Sequence, residues 1–262
     1  MLQGRTVLIT GASAGIGAAC AEVFAAAGGR LLLAARRRER LTDLARRLTE
    51  AHATETHILE LDVRERLVVE RAIGELPAAW AAIDILVNNA GLSRGLDKVY
   101  ESPAADWEEM IDTNVKGLLW VSRAVLPGMV KRDRGHVINI GSIAGHQVYP
   151  GGSVYCATKH AVGAITRGMR LDLLGTRVRV SAVDPGMVET DFSLVRFRGD
   201  RERAAQVYRH FPPLAARDVA EAVLFCATRP LHVNINEMIV MPQDQAAVYA
   251  SYERGVEEEA GG

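Results

Sequence analysis

Tyr155 and Lys159 stand four residues apart in the stretch Tyr155-Cys156-Ala157-Thr158-Lys159. The alanines here and the apolar Val162 and Ile165 predict a helix, on which residues four apart share one face. A phenol beside an ammonium has a chemical use. The ordinary tyrosine pKa is about 10, a neighbouring positive charge favours the phenolate, and a phenol so placed can exchange a proton with an alcohol oxygen. The same spacing also occurs as a plain amphipathic pair, so its surroundings decide the reading. Ser142 is the first of these. It follows Gly135 to Gly141, an apolar run that reads as a strand, and ligands of open parallel sheets bind outside the carboxyl ends of their strands.

A second group of residues has the makings of a phosphate cradle. Arg5 to Thr10 reads as a buried strand, Gly11-Ala12-Ser13-Ala14-Gly15-Ile16-Gly17 follows, and an alanine-rich helix runs to about Ala27. Gly11 can take a tight turn, Gly15 lets the backbone approach a pyrophosphate, and Gly17 permits close packing of helix on strand. The spacing is Gly-x-x-x-Gly-x-Gly, and taken alone it also suits a glycine turn needed only for packing. A second strand, Arg30 to Ala35, ends without the acid that would accept a ribose 2′-hydroxyl. It runs instead into Arg36-Arg37-Arg38-Glu39-Arg40, positive charge at a helix start, where the macrodipole disfavours it. A bound anion would remove that conflict. Arg36, helped by Arg37 and by the Ser13 hydroxyl, is therefore expected to hold the 2′-phosphate of NADP; the competing reading is a solvated basic helix face.

These residues need a scaffold. Further strands are expected at His57 to Leu61, Ile83 to Val87, Gly135 to Gly141, Arg177 to Val183 and Glu237 to Val240, with helices between them. Alternating strands and helices imply an α/β doubly wound (Rossmann-type) parallel sheet with helices on both faces. At 262 residues, one domain over 1–262 is expected, with a lid-like insertion at 187–213 and a flexible tail from about 243. At the end of the third strand, Asp62, followed by Val63, could face an adenine amine or cap the next helix. Asn88 reads as a brace where the chain leaves the sheet, next to Asn89-Ala90-Gly91. Asn114 interrupts an apolar helical pattern, either as a cap or as a side chain that breaks the ladder and fixes a water beside the Tyr-Lys pair.

Composition removes several classes. With 31 Lys and Arg against 32 Asp and Glu there is no basic field to draw nucleic acid or anionic lipid. No apolar run approaches the roughly 20 residues of a membrane span, and the chain starts Met-Leu-Gln-Gly-Arg without a signal core. Three separated cysteines suit reduced thiols in a cytoplasmic protein, and no metal-ligand spacing occurs among the histidines.

Together the residues resemble the short-chain dehydrogenase/reductase family over nearly the whole chain. The matches are Thr10 to Gly17, Asn88 to Gly91, Asn114, Ser142, Tyr155 with Lys159, and Pro185-Gly186 with Thr190. Ala14 stands where many members have Ser. The resemblance implies Tyr155 as general acid/base, Ser142 as the hydroxyl that orients the substrate carbonyl, and Lys159 as the group that lowers the tyrosine pKa and holds the nicotinamide ribose. Asn114 would support a proton relay. Cofactor contacts are implied for Gly11, Ser13, Gly15, Ile16, Gly17, Arg36, Arg37, Asp62, Val63, Asn89, Ala90, Gly91, Tyr155, Lys159, Pro185, Gly186, Val188 and Thr190.

A narrower resemblance, carried by 110–117, 149–152, 189–196 and 233–237, is to NADP-dependent 3-hydroxy acid dehydrogenases. It implies a homotetramer with contacts through 114–130, 153–174 and the last strand. The expected substrate is a small 3-hydroxy acid such as serine, allo-threonine or a 3-hydroxybutyrate-like acid, its carboxylate met by Arg196, Arg198 or Arg94. Two other readings stand beside it: an NADPH-dependent reductase of a bulkier aldehyde or ketone, of the clavulanate type, and a non-catalytic NADP-sensing binding protein.

Overall fold

The computed structural model describes residues 2–209 and 211–252. The short Val-, Ile- and Leu-rich runs are strands, mostly buried as a parallel sheet covered on both faces requires, except the edge strand at Thr56–Glu60, where only Leu59 is buried. These are β1 (Thr6–Thr10), β2 (Arg30–Ala35), β3 (Thr56–Glu60), β4 (Ile83–Asn88), β5 (Gly135–Ile140) and β6 (Val178–Pro185). β7 (Val188–Glu189) and β8 (Leu214–Ala215) form a small parallel pair of their own, and β9 (Glu237–Val240) closes the main sheet on one edge. The order is β3-β2-β1-β4-β5-β6-β9, all parallel. Chain direction across the sheet reverses between β1 and β4, the switch point at which such sheets open a ligand crevice.

The connecting segments are α1 (Gly15–Ala26), α2 (Arg38–His52), α3 (Arg66–Gly74), α4 (Ala104–Ile111), α5 (Leu118–Lys131), α6 (Ser153–Asp172), α7 (Phe192–Arg196), α8 (Arg201–Gln206) and α9 (Ala216–Ala227). One core joins α1, α2 and α9 to one face of the sheet through residues such as Phe24, Leu41 and Val223. A second, with Leu86, Val121, Met129 and Val162, packs α3, α5 and α6 on the other. Asn88 braces the sheet as expected, its amide donating to Asn139 Oδ1 and Ser122 Oγ, each at 2.9 Å.

One local expectation is corrected. The segment beyond 243 is not wholly frayed: β10 (Gln245–Ala247) pairs with β11 (Ala250–Ser251), and buried Gln245 accepts a 2.8 Å hydrogen bond from the Met187 amide. A side chain that satisfies a buried backbone donor holds its own segment in place. Residues 253–262, also part of the expected tail, lie outside the described residues. The stretch 187–213, expected as a lid-like insertion, contains β7, α7 and α8, and the β7–β8 pair ties its two ends together.

Candidate active site

The glycine turn after β1 sits at the switch point. Gly11 and Gly15 have φ of +65° and +52°, the left-handed region that a side chain disfavours. A β-carbon on Gly17 would fall inside contact distance of the Gly11 carbonyl oxygen. Asn89 fixes the turn from the next strand, donating its amide to Thr10 O at 2.9 Å and Gly11 O at 3.3 Å. No side chain caps the start of α1, so its first amides remain available to an anion. These features fit a pyrophosphate. Thr190 packs over Gly15 from β7's side of the cleft.

At one end of the cleft Arg37 donates to Ser13 Oγ at 2.9 and 3.2 Å. Arg36 lies 3.9 Å from Asp62 Oδ2, and both line the cleft. Two exposed guanidiniums and a hydroxyl on the strand-end side suit a 2′-phosphate. Asp62 is not a helix cap: α3 starts at Arg66, and Asp62 Oδ1 accepts from the Arg64 amide at 3.0 Å in a tight turn. Burial opposes its ionisation, but the Arg64 hydrogen bonds and charge, with Arg36, hold its carboxyl below the ordinary value.

At the other end Tyr155, Lys159 and Ser142 meet. Tyr155 and Lys159 share a face of α6, with the ammonium nitrogen 5.9 Å from the phenol ring centre. Lys159 donates to the Ile140 carbonyl at 2.9 Å, and Ser142 Oγ accepts from the Ala144 amide at 3.1 Å. The expected effect of Lys159 on the phenol is not what this geometry gives. Burial pushes Tyr155 well above 10, Tyr149 adds to the push, and Arg196 and a hydrogen bond with Ser142 pull only partly back. Lys159 is itself drawn down to about 8 by burial, against the charge of Asp184. Desolvation is the largest cause of both shifts, because both groups are buried, and neither group is among the charges that move the other.

Asn114 breaks the helical ladder. It sits in Asp112–Gly117, a π-helical segment between α4 and α5. There its oxygen accepts from the Leu92 amide at 2.8 Å, and its nitrogen donates to Leu92 O at 2.8 Å and Thr158 Oγ1 at 3.0 Å. The wide turn supplies the room, as π-bulges at functional sites often do. It is not a cap. Asn114 Oδ1 and Lys159 Nζ both border the space that a β-carbon on Gly91 would fill, at 3.3 and 3.8 Å from it.

The wall opposite Tyr155 comes from 187–213. Phe192 tilts against the Tyr155 ring at 5.7 Å, and the Arg196 guanidinium lies 5.5 Å from the Tyr155 ring centre and 5.2 Å from that of Phe192. Arg196 donates to the Tyr149 hydroxyl at 3.0 Å, while its Nε is buried with no hydrogen-bond partner among the described residues. The other two arginines expected near a carboxylate are engaged elsewhere. Arg94 bonds Glu109 and the Val195 carbonyl, and Arg198 bonds Asp106.

A family model for short chain dehydrogenases matches residues 5–199, more than half of the chain. The chain belongs to the short-chain dehydrogenase family. The NADP-dependent 3-hydroxy acid dehydrogenase YdfG of Salmonella typhi is 48% identical to it over 249 residues, 95% of this chain and 99% of that one. Sulfoacetaldehyde reductase 2 of Chromohalobacter salexigens is 48% identical over 241 residues, 92% of this chain and 95% of that one. A closed serine dehydrogenase complexed with NADP+ is similar in structure, with a TM-score of 0.89 at 45% identity, covering 96% of this chain and 100% of that one.

In this short-chain dehydrogenase the cleft is lined by all of the catalytic and cofactor residues nominated from the sequence except Gly17 and Asn114; of the three arginines nominated for a carboxylate none is a lining residue, and Arg196 reaches the site through its contacts with Tyr155, Phe192 and Tyr149. The sequence reading passed over Phe192 and Gln245. Phe192 lies in a stretch without periodicity, and Gln245 in a tail with no apolar pattern; neither carries a local signal, and only tertiary packing places them.

Proposed function

We propose that this enzyme interconverts a small 3-hydroxy acid and its carbonyl form with NADP, the acid group being held by Arg196. The observation that carries the proposal is the buried, unpartnered Nε of Arg196 beside the Tyr155 ring. A buried donor without an acceptor is costly, and a carboxylate facing it would supply the missing oxygen. The names of the relatives above, which act on 3-hydroxy acids and serine, support the same substrate class.

The residues divide the work as follows. The uncapped start of α1 and the turn around Gly11, Gly15 and Gly17 hold the pyrophosphate, and Ser13, Arg36 and Arg37 the 2′-phosphate. NADP, when bound, accepts or donates the hydride that changes the oxidation state of the substrate carbon. Ser142 donates to the substrate oxygen and orients it. In oxidation the substrate hydroxyl passes its proton to the Tyr155 oxygen; in reduction the phenol returns a proton to the carbonyl oxygen. Lys159 places positive charge near that exchange, and Asn114 joins the wall behind it to Thr158.

Arg196→Leu tests the substrate assignment. Losing one partner of a buried charge pair costs about 2–5 kcal/mol, so kcat/KM for serine or 3-hydroxypropionate is expected to fall by roughly 30-fold or more. A neutral secondary alcohol of the same length should lose far less. Equal losses on both would show that Arg196 supports the fold and not the acid group. A sulfonate would satisfy the same guanidinium, and the sulfoacetaldehyde reductase relative favours keeping that anion as a second reading; a panel that includes sulfoacetaldehyde and a bulky uncharged aldehyde separates the three. For the cofactor, Arg36→Ala with Arg37→Ala removes charge-assisted bonds of about 1.5–3 kcal/mol each, so the NADP Michaelis constant should rise at least about tenfold. Turnover with NAD should change little, and an unmoved NADP constant would reject the phosphate clamp.

The proposal extends to assembly and compartment. α5, α6 with the turn that follows it, and β9 expose Leu119, Val130, Leu171, Leu174 and Ile239, apolar surface of the kind a homotetramer covers. Cys20, Cys156 and Cys226 are free and buried, in keeping with the cytoplasm. No helix among the described residues is long and apolar enough to cross a membrane.

A further inference from the structure

Three side chains from separate elements meet behind the cleft. His146 ends the short turn that follows Ser142, Asp184 lies at the end of β6, and Glu237 opens β9. The imidazole Nε2 is 2.8 Å from Asp184 Oδ2 and 3.9 Å from Glu237 Oε1, and Glu237 in turn is 3.8 Å from Arg167. Asp184 is buried, and its other oxygen packs so closely on Gly141 that a β-carbon there would overlap it. Lys159 bonds the carbonyl of Ile140, the residue just before Gly141. Carboxylate and ammonium therefore flank the same two residues at the end of β5, immediately ahead of Ser142. Imidazole and carboxylates are also the ligand types of a divalent cation. The Arg167 guanidinium beside Glu237 opposes one, and the His146–Asp184 bond already uses the facing atoms.

The electrostatics give the arrangement a direction. Burial pushes the Asp184 carboxyl upward, the bond and charge of His146 pull it back, Glu237 pushes it up again, and Lys159 pulls it down. Burial pulls Lys159 down, and Asp184 is the charge that opposes this. The charged and titratable groups that face Asp184 are thus His146 from the turn after β5, Glu237 from β9 and Lys159 from α6, with Arg167 of α6 on the far side of Glu237.

We propose that Asp184 and His146 form a positioning pair: the imidazole keeps the Asp184 carboxylate ionised and fixed against the Gly141–Ser142 turn, and the carboxylate supplies the counter-charge that keeps Lys159 an ammonium. Neither residue lines the cleft, and both act through Lys159 and Ser142. The inference rests on the reading of Lys159 given above, though not on the identity of the substrate.

The test compares pH profiles of kcat and of NADPH affinity, the latter from nucleotide fluorescence, for the wild type, Asp184→Asn, Asp184→Glu and His146→Ala. Without the carboxylate the ammonium loses its proton sooner. The alkaline limb of both profiles in Asp184→Asn should move to lower pH by about one pH unit or more, the usual size of one close charge. Asp184→Glu keeps the charge and should keep the limb. His146→Ala should leave the alkaline limb in place, where the carboxylate is ionised regardless, and lose turnover on the acid side, where the unsupported carboxyl takes up a proton. A uniform drop in Asp184→Asn with both limbs unmoved, or an unchanged profile, would overturn the proposal and leave only a packing role. A wild type that binds NADPH but turns over no 3-hydroxy acid would reject the substrate reading alone, since the affinity profiles still decide this one.

Discussion

Tyr155→Phe is expected to lower turnover by about 10²–10⁴-fold, the usual worth of a positioned general acid or base, while NADPH binds as before. The ring keeps its packing against Phe192 and beneath Arg196, so the loss isolates the hydroxyl. The sign of the pH dependence follows from burial, which raises the phenol above 10. Reduction uses the protonated phenol, the dominant form at neutral pH, and its rate should be flat there. Oxidation uses the phenolate and should rise with pH until Lys159, held at about 8, loses its proton and the alkaline limb sets in. Steady-state rates in both directions between pH 6 and 10, for the wild type and the variant, check both statements. Full turnover in Tyr155→Phe would remove the phenol from the chemistry and return the cofactor-sensing alternative to consideration.

The second large effect belongs to Gly17→Ala. Its new methyl group meets the Gly11 carbonyl oxygen, a backbone atom, and the Asn89 amide that ties the glycine turn to the end of β4. Neither can yield without moving the cradle. Overpacking of this kind costs about 1–3 kcal/mol of stability. A displacement of about 1 Å in a positioning element can cost about 10²-fold, so the NADP Michaelis constant should rise by roughly that factor. Thermal melts with and without NADP, together with the kinetic constant, separate the two effects: the melting shift produced by NADP should shrink more than the melting temperature of the protein alone. A variant with unaltered NADP affinity would show that the turn is built for packing only.

What could be read in advance follows a physical division. The main-sheet strands, the glycine turn and the long helices are written in local patterns of apolar residues and glycine, and they lie where those patterns put them. Tyr155 and Lys159 share a face because helical spacing alone fixes it. The tyrosine's acidity went the other way, since the effect of a charge depends on how much water surrounds it, and burial is a property of the whole fold. Asn114 could be seen to disrupt a helix, but the π-turn that lodges it is braced by Leu92 and Thr158, 22 and 44 residues away in the chain. The choice among Arg94, Arg196 and Arg198 was beyond sequence reasoning for a similar reason. All three carry the same charge, and only their neighbours Glu109, Tyr149 and Asp106 distinguish them.

The groups proposed to handle the proton and those proposed to face the substrate's far end are carried by different parts of the chain. Ser142 stands just beyond the carboxyl end of β5, and Tyr155 and Lys159 on α6, which together form a floor, while Phe192 and Arg196 hang from a roof stapled at its two ends by β7 and β8. Such a roof can be rewritten residue by residue, or shortened and extended between its staples, while the floor keeps its geometry. One molecular frame can thus change its taste for acids, sulfonates or uncharged carbonyls without relearning how to move a proton.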